Sequence, residues 1–328
     1  MSSTAIDVIV PIWNSKPWLE QCFAALEAQT LRPASIVAVD DGSTDGSQAW
    51  LERHADTVMV HSLARHSGFA AAVNHGIRST SSPLVALLNA DTQVEADWLE
   101  QLSTALLAEP TTTGLAASRM LQLSDPTVVD SAGDSFTVFG SALKRGHGEP
   151  AANWSRPEKV LSACAGAALY RRAMLAKIGL FDDSYESYLE DVDLSLRAQL
   201  AGYDCLFVPA ARVLHAGGGS GLARKRYVRL VTANRATTVL KNFPASAIWR
   251  HLLPLLWGQI YFLLAYRRPL SSLLGYGRFL RQLPGAIRRR REIQASREIS
   301  SREFSEGLEQ RLGEPPLRQL FRGRFERR

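Results

Sequence analysis

Three places in the sequence set carboxylates where chemistry can use them. Asp40-Asp41 closes the apolar run Ile36-Val37-Ala38-Val39, and Asn89-Ala90-Asp91 closes the run Val85-Ala86-Leu87-Leu88. Glu190, Asp191 and Asp193 fall within four positions of one another in Tyr188 to Arg197. His215 ends a further apolar run, Val213-Leu214, and stands before the loop Ala216-Gly217-Gly218-Gly219-Ser220. In an open α/β sheet, ligands sit outside the carboxyl ends of the strands. A carboxylate at position 91 is therefore either a metal ligand or, with Thr92, a cap on the helix that carries Trp98, Leu99 and Leu102. Hard cations such as Mg²⁺ or Mn²⁺ prefer such oxygen donors. His215 is a candidate further ligand. The helix dipole favours Glu190 and Asp191 in a first turn. Three acids so close exceed what capping needs and repel one another, unless a cation or a proton-transfer role compensates.

The elements that must position these groups alternate. Val8 to Ile12 reads as a buried strand, and Trp13-Asn14-Ser15 as a loop. Pro17 opens a helix burying Leu19, Cys22, Phe23 and Leu26. Residues 36–39, 58–60 and 85–88 read as further strands, with helices through Trp50–Leu51 and Ala70–Ile77 between them. This alternation predicts a largely parallel sheet with right-handed crossovers. Leu161 to Tyr170 reads as a close-packed strand and Leu206 to Pro209 as a short one. Asp130-Ser131-Ala132-Gly133-Asp134 and Arg145 to Glu149 read as loops flanking a strand or hairpin. Apolar positions 189, 192, 196 and 200 have helical spacing.

Composition narrows the classes. The chain has 328 residues, enough for one large α/β domain and an appendage. Its three cysteines, Cys22, Cys164 and Cys205, form no CxxC pair, so neither a zinc knuckle nor a disulfide framework is indicated and a reducing compartment fits. Met1 to Thr4 lacks the basic region of a secretory signal. No GxGxxG follows the first strand, and no GxxxxGK[ST] occurs. A bound diphosphate would then need a metal ion, with Asp91 the obvious carboxylate to hold it.

Taken in order, these motifs resemble family 2 glycosyltransferases with the GT-A fold. The resemblance rests on Val10-Pro11-Ile12-Trp13-Asn14, Val39 to Ser47, Gly68 to Asn74, Leu87 to Asp91, Gly179-Leu180-Phe181-Asp182, Tyr188 to Leu194 and His215. It covers residues 6 to about 243, and its branch is the bacterial rhamnosyltransferase-like one, which also carries Asp130-Ser131-Ala132-Gly133-Asp134. It implies an α/β, Rossmann-like, mostly parallel mixed sheet flanked by helices. The implied enzyme is an inverting, metal-dependent hexosyltransferase of cell-surface polysaccharide synthesis. It takes a dTDP-, UDP- or GDP-linked sugar, with rhamnose a candidate, to a glycan or lipid-linked acceptor. Asp40 would hydrogen-bond the donor's base, with Pro11, Trp13 and Asn14 lining the pocket. Asp41, Gly68, Asn74 and Asn89 join the donor-binding set, and Arg65 or His66 would touch the nucleotide. Asp91 and His215 would hold the divalent metal, Mg²⁺ or Mn²⁺. Asp191 would be the general base, with Glu190 beside it. Asn89 stands where the family often has aspartate. The rivals are a sugar nucleotidyltransferase, for which Trp13 to Lys16 is a poor triphosphate loop, and a non-catalytic membrane-associated scaffold that binds nucleotide-sugars.

The implied division is a catalytic domain at 1–225, with its nucleotide half at about 1–110 and its acceptor half at about 111–225. A basic, amphipathic helical extension follows at 226–291, then a charged, partly disordered tail at 292–328. Residues 1–220 carry 15 Lys/Arg against 25 Asp/Glu, and residues 221–328 carry 23 against 7. So basic a segment fits anionic partners. Leu252 to Ala265 is apolar but short of the roughly 20 residues of a spanning helix. With Leu270 to Ile287 and Arg288 to Arg291, it reads as interfacial helices with a polybasic anchor, giving peripheral membrane contact through 246–291. The alternative is a subdomain packed on the catalytic domain or on a second subunit of a homo-oligomer. Nucleic acid is disfavoured, because the arginines alternate with aliphatics rather than stacking aromatics. The expected location is cytoplasmic, at the inner face of the cell membrane.

Overall fold

The structure is a computed structural model that describes residues 5–217 and 222–313. The expectations for Met1 to Thr4, for Gly218 to Ser220 and for the tail beyond residue 313 lie outside the described residues. The strands are β1 Ile6–Ile12, β2 Ser35–Asp40, β3 Met59–Ser62, β4 Leu84–Leu88, β5 Thr92–Val94, β6 Thr113–Gln122, β7 Asp125–Ser131, β8 Asp134–Phe136, β9 Ala142–Lys144, β10 Glu158–Val160, β11 Ala167–Arg171 and β12 Asp204–His215. The helices are α1 Lys16–Glu27, α2 Ser47–Glu52, α3 Phe69–Arg78, α4 Trp98–Ala108, α5 Arg172–Ile178, α6 Glu190–Leu200, α7 Arg224–Asn242, α8 Ala245–Arg250, α9 Leu252–Ala265, α10 Pro269–Ala295 and α11 Ser301–Glu306.

Two compact units form. The first spans Met1–Asp134 and Lys144–Gly221, and the second joins Ser135–Leu143 to Leu222–Arg328. The first unit holds a ten-stranded sheet in the order β10-β12-β6-β11-β4-β1-β2-β3, with β5 on β12 and β7 on β6. Strands β3, β2, β1 and β4 are parallel, because a helix crosses over between each consecutive pair. Strand β11 then enters antiparallel between β4 and β6, so the sheet is mixed. β4 is buried at every position, as its unbroken Leu-Val-Ala-Leu-Leu run requires of a strand covered on both faces. The apolar side chains of its two faces pack into two separate cores, one beneath Trp98 and Leu19 and one beneath Val73 and Leu194.

Three sequence expectations are corrected here. Asp91 and Thr92 do not cap the helix at Trp98, because Thr92 opens β5 and Asp97 stands at the helix N-terminus. The strand expected over 161–170 begins only at Ala167, since Cys164 to Gly166 form a turn. The short strand expected at 206–209 runs to His215. It crosses a register shift between Val208 and Arg212, around Pro209, which has no N–H to give the ladder.

In the second unit, the hairpin tip 135–143 packs among the helices. Arg235 Nε donates to Gly140 O at 3.1 Å, and Val138 N–H donates to Glu309 O at 3.0 Å. Phe243 stacks edge-on against both Phe136 and Phe304. Residues 292–313 are folded despite their charge. Ser300 and Glu303 form a reciprocal capping box at the start of α11, and Phe304 is buried. No helix among the described residues is long and apolar enough to cross a membrane.

A Cβ on Gly258 would stand 2.0 Å from the carbonyl oxygen of Phe139, a backbone atom with no freedom to yield. Gly258→Ala should therefore lower stability by about 1–3 kcal/mol through overpacking, read as a fall in the thermal unfolding midpoint.

Candidate active site

The pairing of β5 with β12 creates the first cluster. Its register sets Thr92 opposite His215, and Ala216 N–H donates to the Asp91 carbonyl at 3.0 Å. Asp91 is thereby carried against the histidine, with Oδ2 3.4 Å from His215 Nε2. On the other side of the ring, His215 Nδ1 lies 2.8 Å from Asp130 Oδ2, which β7 supplies. Lys144 Nζ donates to Asp130 at 2.8 Å, and His147 Nδ1 lies 3.4 Å from its other oxygen. Burial pushes the Asp130 carboxyl up, but hydrogen bonds from His147 and His215 and the Lys144 ammonium outweigh it and hold the group well below the usual carboxylate range. Burial likewise disfavours charge on His215, yet its bonds to Asp130 and Asp91 push its pKa up to about 9.

This donor set fits a divalent cation. One carboxylate and one imidazole nitrogen face each other, and the ring's other nitrogen is fixed by a second carboxylate, the arrangement that orients histidine ligands. Asp130, Lys144 and His147 were missed as site residues. The sequence signals were the loop-like setting of 130–134 and 145–149 and the motif at 130–134 shared with the resembled branch, and neither shows which side chain turns inward.

The second cluster surrounds the start of α6. Asp191 Oδ2 accepts the Ala165 N–H at 3.2 Å, and the neighbouring Gly166 carbonyl accepts the Asn89 N–H at 2.8 Å. The turn Cys164 to Gly166 thus bridges from Asp191 to the residue that begins the Asn89-Ala90-Asp91 motif. Oxygen atoms of Asp134 and Asp191 and the Cys164 sulfur lie within 4.8 Å of one another. Burial raises the Asp191 carboxyl, offset in part by the N–H groups of Ala165 and Val192. Burial and the charge of Asp191 push Asp134 up to about 8. Glu190 is buried, and burial with the charges of Asp191 and Asp193 raises it far above its ordinary value. Of the expected acid pair, Asp191 has its oxygens held by the N–H groups of Ala165 and Val192, whereas Glu190 is buried.

Asp193 has a structural role. Its carboxylate accepts from Arg197 Nε and from the Tyr185 hydroxyl, each at 3.1 Å. Arg197 goes on to donate to the carbonyls of Ile178, Gly179 and Leu180. Part of the negative charge that looked excessive in the sequence is thus neutralised inside the helix's own i,i+4 pair.

Of the residues expected to bind the donor, Pro11, Trp13, Asn14, Asp40 and Asp41 lie at the ends of β1 and β2. Asn14 is exposed with φ +51°, its N–H donating to Ser43 Oγ and its Oδ1 accepting the Thr44 N–H. Trp13 stacks on His66 with ring centroids 4.1 Å apart. Pro11 is half-buried, and Asp40 is buried at the end of β2, accepting the Ser43 N–H at 3.3 Å. Two members of the expected donor set are committed to the protein itself. Asp41 accepts the N–H groups of Ser67 and Gly68 at 2.7 and 2.8 Å, and so holds that loop. Asn74 is buried and spends its amide on Phe181 N–H, Phe181 O and Asp183. Gly68 has φ +99°, and a Cβ there would meet Glu186 O at 2.7 Å, so its role is close backbone approach.

Comparison with known proteins follows the same outline. Residues 7–179 match the family model described as Glycosyl transferase family 2. The N-acetylglucosaminyl-diphospho-decaprenol L-rhamnosyltransferase of Mycobacterium tuberculosis is 28% identical over 276 residues, 77% of this chain and 88% of that protein. The pre-mycofactocin glycosyltransferase of the same organism is 28% identical over 213 residues, 64% of this chain and 42% of that one. Among solved structures, GalNAc-T7 with UDP, GalNAc and Mn²⁺ aligns with a TM-score of 0.67 at 17% identity, over 92% of this chain and 56% of that one. S. aureus TarS 1-349 aligns with a TM-score of 0.55 at 17% identity, over 92% and 90%. These likenesses identify the fold as GT-A.

Two outcomes follow from the buried charges. Arg197→Ala leaves Asp193 buried without its cation and should cost about 3–5 kcal/mol of stability, measured by denaturant unfolding. Asp134 has a folded pKa raised above its unfolded one, so the native state holds the extra proton. Its stabilising contribution is complete below the unfolded value of about 3.9 and is lost as pH rises through about 8. Asp134→Asn should flatten this decline, seen as a smaller drop in unfolding midpoint between acid and mildly alkaline buffer.

Proposed function

Because the chain belongs to glycosyl transferase family 2, we propose that it moves a sugar from a nucleoside-diphosphate donor to a hydroxyl of a lipid-linked glycan, inverting the anomeric centre in one displacement. The observation that carries this reading is the turn Cys164 to Gly166, which ties the Asp191 carboxylate to the strand end bearing Asp91. That link supports one base working with one candidate cation site, and a single displacement needs no enzyme nucleophile.

The donor half is residues 1 to about 110, with the base of the nucleotide on Asp40 and against Pro11, Trp13 and Asn14. The acceptor half is about 111–225. Asp191 takes the proton of the acceptor hydroxyl as its oxygen bonds to the anomeric carbon. The bond from that carbon to the diphosphate oxygen breaks, and the nucleoside diphosphate leaves. Burial raises the basicity of Asp191, which favours this role, while the N–H groups of Ala165 and Val192 keep its oxygens oriented. Asp91 and His215 would hold Mg²⁺ or Mn²⁺, which supplies positive charge to offset that on a leaving diphosphate.

The acceptor class draws its support from the mycobacterial relative, whose name specifies L-rhamnose and an N-acetylglucosaminyl-diphospho-decaprenol. A dTDP-, UDP- or GDP-linked sugar is the donor class, with rhamnose the first candidate. The GT-A neighbour was solved with UDP and Mn²⁺, which supports a divalent metal as cofactor. The reaction would take place at the cytoplasmic face of the membrane.

The test is release of nucleoside diphosphate from a donor panel, with a lipid-linked N-acetylglucosamine diphosphate as acceptor, in Mn²⁺, Mg²⁺ or EDTA. Release from one donor that EDTA abolishes is the expected result. Asp191→Asn should lower turnover about 10²–10⁴-fold while donor binding by calorimetry stays unchanged. Unchanged turnover in that variant would remove the base from the mechanism. Asp91→Asn should raise the Mn²⁺ concentration needed for half-maximal release.

A further inference from the structure

The second unit carries an apolar surface that the catalytic reading does not use. On α9, Leu253, Leu256, Trp257, Ile260 and Leu264 are 40–77% exposed. Their spacing places them on one stripe of the helix, while Leu255, Gly258, Tyr261 and Phe262 are buried on the opposite side. On α10, Leu270, Leu273, Leu274, Leu280 and Ile287 are exposed along a second stripe, opposite the buried Ser271, Ser272, Gly275 and Ala286. Trp249 on α8 is 75% exposed. An exposed apolar surface of this extent marks an interaction site rather than ordinary surface.

The charge of the same segment selects the partner. Residues 245–291 contain nine arginines and no Asp or Glu. Arg281, Arg288 and Arg291 are exposed and continue the apolar stripe of α10 toward its C-terminal end. Beside them lies a cavity of about 680 Å³ whose lining includes Ser246, Arg290, Arg291, Gln294, Arg297 and Ser301. A two-fold contact would use this same patch on both copies, and the patch has no acid to pair with its arginines. Anionic phosphodiesters would neutralise them, and exposed tryptophans suit the boundary between water and lipid. No helix among the described residues is long and apolar enough to span a bilayer, so a membrane contact through these stripes would run along its surface.

We propose that the exposed stripes of α9 and α10 dock on a bilayer containing anionic phospholipid, with Leu256, Trp257, Ile260 and Leu273 among the acyl chains and a lipid phosphate in the arginine-lined cavity. This goes beyond the proposed reaction and stands or falls separately from it.

The experiment is co-sedimentation of the full chain with vesicles of phosphatidylcholine alone or mixed with phosphatidylglycerol. The wild type should partition to the mixed vesicles, with a blue shift in tryptophan fluorescence and weakening at high salt. Two double variants, Leu256→Glu with Ile260→Glu and Arg288→Glu with Arg291→Glu, should each partition at least about tenfold less. Both should keep the wild-type unfolding midpoint, since these side chains are exposed. Donor binding in vesicle-free buffer should also persist, so that loss of docking is read apart from loss of catalysis. Equal partition to both vesicle types, wild-type partition by the arginine variant, or a dimer in light scattering that the leucine–isoleucine variant splits would each overturn the proposal.

Discussion

The antiparallel pairing of β5 with β12 is the constraint on which the candidate site depends. β5 is three residues long, yet it fixes where the chain goes after Asp91. A strand slipped by one residue turns its side chains to the opposite face. With Thr92 opposite His215, the Asp91 carboxylate meets the imidazole; any other register would separate them. β12 also pairs with β6 and β10, so the histidine stands at the end of a strand held on several sides.

Around that pairing the protein separates its acids by environment. Asp130 and Asp134 are four residues apart and both buried, but their ionisation is driven in opposite directions. Asp130 has His215, Lys144 and His147 around it and remains charged. Asp134 has Asp191 as a neighbour and is driven toward the neutral form. The helix at Glu190 repeats the theme. Asp193 is paired with Arg197, Glu190 is buried with no ion pair among the described residues, and Asp191 is half-buried with oriented oxygens. Such differences in environment allow neighbouring carboxylates to take different roles.

The second unit is built by other means. Its hairpin tip is drawn into the helices by backbone hydrogen bonds and by close approach at Gly258. Gly275 similarly lets α10 approach the backbone of α7, where a Cβ would stand 2.7 Å from the Arg229 carbonyl. The arginines serve two purposes. Arg235 and Arg290 cap carbonyls in the interior, whereas Arg288 and Arg291 are exposed.

Much of this was legible in the sequence. Unbroken apolar runs ending in acids announced the strands of the first half, because a strand buried on both faces tolerates few polar residues. Asp91 and His215 could be singled out because they close apolar strands, where ligands sit, and Asp191 because three acids so close repel one another. Helical spacing over 189–200 also read correctly, since periodicity is a local property. What tertiary structure alone decided was partnership. Nothing local says that Asp130 would meet His215 across 85 positions, that the Tyr185 hydroxyl would reach Asp193, or that Asn74 would be spent on Phe181 rather than a ligand. The hairpin at 135–143 joins helices a hundred residues away for the same reason. Sequence determines which groups must be buried or satisfied, because that cost belongs to the residue. Which partner satisfies each is a property of the packed chain, because it depends on strand register and the approach of backbones distant in sequence.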